Sequence, residues 1–334
     1  MNDLAPTPAE ATCILRAMRS VATLSGRSVP LPIERELLRA VQQHLLRSDL
    51  DVDALPTIAP AELRASLRNP DQRTWLIRCA ILVPYVSLEV DQAKIATVDF
   101  FAMQLGISPE MLRDLHGQRR AQLERVALDQ ARRGVRIYLT VRTSAQLRGI
   151  VDTVARKSGD AELAARYRTL AMLPAGTLGG ALFDFYRSRG IALPGEEHGL
   201  DERLVPHDLL HVIGGYSGDL ADETALVGFA AGLARLPMGR QLLLEALTEM
   251  SCVAQLVGAL APGAPRPRLD VAALTSAYDR GVAASSELVR GWDWWADAHS
   301  DLAGVRERFA VHLPRRVRSL PAPAAARAKQ PRAA

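Results

Sequence analysis

The sequence predicts an all-α protein made of two helical domains. Apolar residues recur at spacings of three and four along nearly the whole chain, which is the pattern of amphipathic helices. Alternating β-branched runs are rare, and the best strand candidate, residues 135–141, has no evident partner strand. At 334 residues the chain is long enough to bury two cores of ordinary size.

The first predicted domain, residues 1–130, contains a weak internal repeat of two helical pairs. The helices are expected near residues 10–24, 32–47, 72–86 and 91–105. In the second pair, one apolar face of each helix is predicted to point into the core, and it comprises Trp75, Cys79, Leu82, Ile95, Val98 and Met103.

This N-terminal segment resembles the tellurite-resistance TerB-like domain, which is a compact helical bundle. The resemblance covers about a hundred residues and ends with LGISP at 105–109, where Ser108 can cap the next helix. In that family, acidic residues of the turn between the paired helices can bind a divalent ion. Glu89 and Asp91 match those positions, and the alternative is that both are solvated turn carboxylates.

Three further segments complete the predicted organisation. Residues 131–160 are expected to form a helical connector, and KSGD at 157–160 is a natural break. Residues 161–318 form the second helical domain. Residues 319–334 are rich in Pro and Ala and are expected to be disordered.

The positive charge of the chain is concentrated at its C-terminal end. The formal net charge is +4, and residues 306–334 alone contribute +7, so the remainder carries −3. A basic excess in a tail rather than on a folded face argues against nucleic acid as a partner. Weak attraction of this tail to an anionic membrane surface is the alternative to a solvated tail.

Cysteine usage and hydropathy indicate a reducing compartment. Cys13, Cys79 and Cys252 lie far apart in apolar surroundings, which fits neither a disulfide framework nor a thiolate zinc site. The N-terminus shows no secretory signal, and no apolar stretch reaches the roughly 18 to 20 residues of a spanning helix. We therefore expect a cytoplasmic protein, and peripheral contact with the inner face of the membrane stays open.

The segment VPHDLLHVIGG at residues 205–215 has the pattern of a metal site. Pro206 suits the first turn of a helix, so His207 and His211 project from one face about 6 Å apart. That separation suits chelation of one ion. Asp208 lies about 100° further round the helix and can reach the same ion or orient a ligand.

A second acidic ligand is predicted from the next helix. Gly214 and Gly215 end the first helix, residues 217–219 form a turn, and Glu223 lies at the start of the following helix. Two antiparallel helices joined in this way can bring Glu223 back against the histidine pair. Its alternative role is a favourable charge in a first helical turn.

The four side chains together suit a buried divalent cation. Two neutral imidazoles and two carboxylates would neutralise a dication inside an apolar helical pair. Such a ligand set suits zinc best and also accepts iron, manganese or cobalt. The alternative is that His207 and Asp208 act only as a cap and a turn.

Over residues 155–315 the chain resembles the coenzyme Q (ubiquinone) biosynthesis protein 4 family. The matching blocks occur in order along the chain: RYRTLAMLPAGTLGGALFDFY at 166–186, the histidine segment, AYDRG at 277–281, the cluster of Trp292, Trp294 and Trp295, and DLAGVRERF at 301–309. By this resemblance His207, Asp208, His211 and Glu223 fall on the family's metal-ligand motif without a substitution. The N-terminal helical domain is a departure from the usual family members.

The resemblance implies a metal-dependent, lipid-binding protein of prenylated quinone biosynthesis. The implied reaction is oxidative decarboxylation at ring carbon 1 of a polyprenyl-hydroxybenzoate, with the four metal ligands at the catalytic centre. The implied partners are a prenylated quinone precursor or another isoprenoid lipid, and other quinone-biosynthesis proteins. The tryptophan cluster is expected to pack in the core, and contact with an isoprenoid tail is the alternative.

Two other functional classes remain open from the sequence. A non-catalytic scaffold could hold a prenyl lipid and partner enzymes, with a structural metal and the N-terminal bundle as docking module. The adjacent His207 and Asp208 are also compatible with a phosphohydrolase of the HD class, although such sites recruit further ligands from separate helices. Whether the chain is an enzyme, and whether it forms a homodimer, are left open.

Overall fold

The computed structural model describes residues 6–87, 90–108, 110, 112, 159–197, 199, 202–234, 238–260, 269–289 and 291–314. Within these residues the chain is helical and has no β-strand, so the predicted all-α class is confirmed. One isolated bridge pairs Thr177 with Asp301. The strand candidate at 135–141, nearly all of the predicted connector and the predicted disordered tail lie outside the described residues.

The N-terminal region contains six described α-helices. These are α1 (Pro8–Ala22), α2 (Pro32–Ala40), α3 (Pro60–Ser66), α4 (Pro70–Ala80), α5 (Val83–Val86) and α6 (Gln92–Gln104), and a π-helical turn, Val41–Leu45, continues α2. Helix α3 was not predicted, and the helix expected at 72–86 is divided into α4 and α5. Pro84 has no N–H to donate to the carbonyl four residues earlier, which accounts for the break.

Helix α6 shows which predicted core residues reach the N-terminal core. Val98, Phe101 and Leu105 are buried at helical spacing and form the inward stripe. Met103 falls on the opposite side of the helix and is 67% exposed, so its prediction as a core residue is wrong. Asp91 begins α6 as its N-cap, and its side chain accepts from the N–H groups of two residues of the first turn.

Seven α-helices are described in the C-terminal region. They are α7 (Ala161–Arg168), α8 (Leu178–Arg189), α9 (Val205–Gly214), α10 (Leu220–Leu233), α11 (Met238–Leu260), α12 (Val271–Ala283) and α13 (Leu302–Arg308). Thr177 caps α8, and its side chain accepts from the N–H of Gly180 at 3.2 Å. Among the described helices, none has the combination of length and apolar character required to cross a membrane.

The buried apolar residues form two clusters. One consists of helices α1–α6 together with residues of α11 and α12, such as Leu247 and Leu274. The other combines residues of α7–α10, α12 and α13, and includes Tyr186 and Phe229. Helices α11 and α12 therefore pack into the N-terminal core, across the predicted division at residue 130. That division into two domains stays a prediction.

Three glycines let α10 and α12 approach closely. A Cβ atom at Gly228, Gly232 or Gly281 would lie 2.1 or 2.2 Å from a backbone oxygen of the facing helix. No side chain can occupy that space without moving the two backbones apart. This contact fixes the position of α10, the helix that carries Glu223.

Candidate metal centre

Helices α9 and α10 form the hairpin that the sequence predicts. Pro206 lies in the first turn of α9, which ends at Gly214, and the C-cap Gly215 has a φ of +73°, in the left-handed region that favours glycine. After a short turn, the side chain of Asp219 accepts from the N–H of Asp222 at 2.9 Å and caps α10.

The hairpin brings Glu223 against both histidines. Nε2 of His211 lies 2.9 Å from Oε2 of Glu223, and Nε2 of His207 lies 3.2 Å from Oε1. The two imidazole rings are 5.0 Å apart between centroids. One carboxylate thus contacts two imidazoles.

Asp208 completes the cluster from the same helix as the histidines. Each of three residues offers one potential ligand atom, and these three atoms lie within 4.8 Å of one another. The residues are His207, Asp208 and His211. A single cation can therefore be reached by all three side chains. Glu223 joins this group through its contacts with the two imidazoles rather than through Asp208.

The cluster is buried except at His207. Asp208 and His211 are each 2% exposed and Glu223 is 6% exposed. The side chain of His207 is 28% exposed. A ligand from solvent would approach the centre at this histidine, because the other three side chains are covered by the second core.

The ionisation of Glu223 reflects its histidine neighbours. Burial raises the pKa of this carboxyl, but the charges of His211 and His207 and their hydrogen bonds outweigh burial and hold the pKa well below 4.5. Glu223 is therefore a carboxylate at neutral pH. A carboxylate is the form in which an acidic side chain binds a cation.

Helix α8 supplies a second layer of side chains around the centre. The hydroxyl of Tyr186 donates to Oδ2 of Asp208 at 2.9 Å. The ring of Phe185 stacks on the imidazole of His211 with centroids 5.1 Å apart. The guanidinium of Arg189 lies over the ring of Phe185, 3.9 Å from its centroid. Nε of Arg189 donates to the carbonyl of Ser217 at 2.7 Å.

The sequence did not identify these residues of α8 as part of the site. Phe185 and Tyr186 fall inside the block at 166–186 that carries the family resemblance, but their contacts with His211 and Asp208 are made across 22 to 26 positions of the chain. Aromatic residues on a helix are core residues by default. The one pattern in the sequence that could have drawn attention to them is that Arg189 follows Phe185 by four residues and Tyr186 by three, which places a charged residue on the same side of the helix as both rings.

The donor set fits a divalent cation. His211 is buried, and its Nδ1 has no hydrogen-bond partner within the described part of the chain. An unsatisfied buried nitrogen carries a desolvation cost that coordination or a hydrogen bond would remove. Two carboxylates with two neutral imidazoles also match the charge and the nitrogen and oxygen ligands of a zinc ion.

The tryptophan cluster packs as a core feature. Trp294 is buried and stacks on Trp295 with centroids 4.2 Å apart, and Tyr167 contacts both rings. Arg166 lies 4.1 Å from the centroid of Trp295 and covers its face. Contact of this cluster with an isoprenoid tail stays a prediction.

The other sequence-based site candidates have structural roles where they are described. The carboxylate of Asp91 caps α6 and lies 3.6 Å from Nζ of Lys94, whereas Glu89 lies outside the described residues. Cys13 and Cys79 are buried free thiols, and burial raises the pKa of Cys79 to about 12. The side chain of Cys252 also lies outside the description.

In comparisons with known proteins, no family model, no curated protein and no solved structure matches this chain. The two family resemblances noted in the sequence therefore remain expectations.

Proposed function

We propose that the chain binds one divalent cation, zinc in preference to iron, manganese or cobalt, through His207, Asp208, His211 and Glu223. The observation that carries this proposal is the contact of one buried carboxylate, Glu223, with both imidazoles of α9. Ion pairs of histidine with a carboxylate are common, but here a second acid from the same helix lies beside them. That combination is typical of metal sites.

We further propose that this centre acts in prenylated quinone biosynthesis, on a polyprenyl-hydroxybenzoate. A bound divalent ion supplies positive charge for a substrate carboxylate. In the net reaction one dioxygen and two substrate molecules give two hydroxylated rings and two molecules of carbon dioxide. At each ring the bond from carbon 1 to the carboxyl carbon breaks, a bond from carbon 1 to one oxygen atom of dioxygen forms, and the carboxyl proton ends on the new hydroxyl group. The partial exposure of His207 supports this role, because it gives a substrate one side from which to reach the centre.

The experiment uses the full chain loaded with zinc, iron, manganese or cobalt. A polyprenyl-hydroxybenzoate labelled at the ring carboxyl is supplied with dioxygen, and labelled carbon dioxide and the hydroxylated ring are measured. We expect release that depends on the metal and disappears in His211→Ala. Full occupancy by each metal without any labelled carbon dioxide would contradict the reaction, although not the metal site.

The second candidate is a non-catalytic scaffold that holds a prenyl lipid and partner enzymes of quinone biosynthesis, with a structural metal. The burial of Asp208, His211 and Glu223 favours it, because structural zinc sites are closed. The catalytic and scaffold candidates can be distinguished by measuring how fast Mn²⁺ bound to the protein relaxes the protons of water. Fast relaxation from an exchangeable water supports catalysis, and its absence supports the scaffold.

Lipid binding is tested separately from the reaction. Mass spectrometry of organic extracts from the purified full chain is expected to detect an isoprenoid lipid that co-purifies with the protein. Both candidates require this lipid. If metal-loaded protein that has been incubated with prenyl lipids still retains none, the result counts against both.

A further inference from the structure

We infer that Tyr186 is a positioning residue of the metal centre: its hydroxyl holds Oδ2 of Asp208 and orients this carboxylate toward the histidine pair. This inference rests on the proposed metal site. It adds to that site a residue on a different helix, α8, which acts through Asp208 rather than on the cation.

The hydrogen bond has the geometry and surroundings that make it directional. The two oxygen atoms are 2.9 Å apart, Tyr186 is fully buried, and Asp208 is 2% exposed. A hydrogen bond to a carboxylate is stronger than one between neutral groups, and exclusion of water strengthens it further. Rotation of the Asp208 side chain would break this bond without a compensating contact from solvent.

Asp208 needs such a restraint because of its place on α9. It follows His207 by one residue, so the two side chains leave the helix about 100° apart, and it precedes His211 by three residues, which leaves about 60° between those two directions. It has an oxygen within 4.8 Å of ligand nitrogens of both histidines. The hydroxyl of Tyr186 therefore selects one orientation of a carboxylate that could otherwise turn away from the imidazoles.

The neighbouring residue of α8 makes a parallel contact. Phe185 stacks on His211, and Tyr186 bonds Asp208, so two consecutive side chains each contact a different proposed ligand. Partners of metal ligands fix ligand orientation, and their loss lowers metal affinity by about 10- to 100-fold. Helix α8 thus holds α9 in the geometry that the cation requires.

The experiment measures zinc affinity of the metal-free full chain by competition with a chromogenic chelator. Tyr186→Phe removes only the hydroxyl, and we expect its zinc dissociation constant to rise by about 10- to 100-fold. Tyr167→Phe is the matched control. Tyr167 is equally buried in the same core, and its hydroxyl donates to another carboxylate, Glu202, at 3.1 Å. We expect the zinc affinity of Tyr167→Phe to stay within about twofold of that of the unmodified chain. The hydrogen bond that it loses orients no metal ligand, so the geometry of the ligands is unchanged.

A double-mutant cycle separates positioning from general loosening of the core. If Tyr186 acts through Asp208, Tyr186→Phe should cause no further loss of affinity in an Asp208→Ala background. The visible absorption bands of bound Co²⁺ should change in Tyr186→Phe but not in Tyr167→Phe. Additive losses in the cycle, or an unchanged Co²⁺ spectrum, would overturn the inference.

Failure of this inference is distinguishable from failure of the metal site. Absence of zinc binding in the unmodified chain contradicts the site itself. Equal zinc affinity of the unmodified chain and Tyr186→Phe leaves the site intact and removes Tyr186 from it. Should Tyr186→Phe not fold, ¹⁹F spectra of the fluorotyrosine-labelled chain decide: the Tyr186 resonance must shift on zinc binding, and an unshifted resonance contradicts the inference.

Discussion

Two buried polar clusters, one in each core, balance their charges differently. In the N-terminal core, Nζ of Lys94 lies 2.5 Å from Oε1 of Glu34, and the second oxygen of Glu34 accepts the N–H of Leu31 at 2.8 Å. Lys94 is thus the base for the buried Glu34, and it also lies 3.6 Å from the more exposed carboxylate of Asp91. In the second core, two acids, Asp208 and Glu223, lie beside the imidazoles of His207 and His211.

The difference teaches how a structural pair is told from a ligand site. Both clusters are almost fully buried, so burial alone does not separate them. Buried charges need partners, and the Lys94–Glu34 pair carries its own. The cluster on α9 and α10 consists of two acids and two histidines, and Arg189 of α8 interacts electrostatically with Asp208. The four side chains of the cluster all carry atoms that can coordinate a dication, which the Lys94–Glu34 pair does not.

The largest effect is expected where the N-terminal pair is broken. Lys94→Met leaves Glu34 buried without its cation, and we expect the free energy of unfolding to fall by about 3–5 kcal/mol. Urea denaturation measures this loss. Zinc should not restore the lost stability, since the pair is complete without a metal.

The control for this variant removes both charges. Glu34→Leu combined with Lys94→Met should recover much of the stability, because replacing a buried pair by apolar residues is often neutral. An unpaired buried charge is expected to cost about 3–5 kcal/mol. If Lys94→Met alone lowers the free energy of unfolding by less than about 1 kcal/mol, our description of a structural pair is contradicted.

The second core is expected to respond to metal instead. Free zinc at about 100 times its dissociation constant should raise the free energy of unfolding by about 2.7 kcal/mol. Glu223→Gln keeps the shape of the side chain but removes the charge, so most of this gain should be lost. Thermal unfolding with and without zinc checks it, and equal gains in both proteins would show that Glu223 binds no metal.

The contact between α10 and α12 is the next test. Gly232→Ala places a Cβ against the carbonyl of Tyr278, and we expect a loss of about 1–3 kcal/mol because the backbones must separate. Zinc affinity should also fall, since α10 carries Glu223. The control is Gly176→Ala, because a Cβ at Gly176 meets no atom within 4 Å. A variant Gly232→Ala as stable as Gly176→Ala would contradict the close contact.

The smallest effect is expected at a helix end in the same core as the metal centre. Thr177→Ala removes the side-chain cap of α8 and should lower the free energy of unfolding by about 1 kcal/mol. Thr177→Ser keeps the hydroxyl and serves as the control. Zinc affinity should be unchanged in both, because this end of α8 is opposite the end that contacts the ligands. A change of affinity would mean that the cap affects the centre.

Local patterns predicted more of this molecule than contacts between distant segments. The all-α class and the α9–α10 hairpin follow from spacing and from residues that begin or end helices. The hairpin spans few residues, so the approach of Glu223 to the histidines could be predicted from the sequence.

Interactions between distant segments were not predicted. Glu34 and Lys94 are 60 residues apart, and each has the pattern of an ordinary exposed charge in its own helix. The contact of Tyr186 with Asp208 likewise depends on how α8 packs on α9. Met103 was assigned to the wrong face because apolar residues occupy both sides of α6. The packing of α11 and α12 into the N-terminal core has no local signal either.

The most direct test of the central claim is the zinc content of purified full-length variants by elemental analysis. We expect about one zinc per chain in the unmodified protein and in His44→Ala, and almost none in His211→Ala. His44 is the matched control, because its Nδ1 lies 3.0 Å from a carboxylate oxygen of Asp279, outside the proposed site. Equal zinc content in His211→Ala and the unmodified protein would contradict a metal centre on α9 and α10.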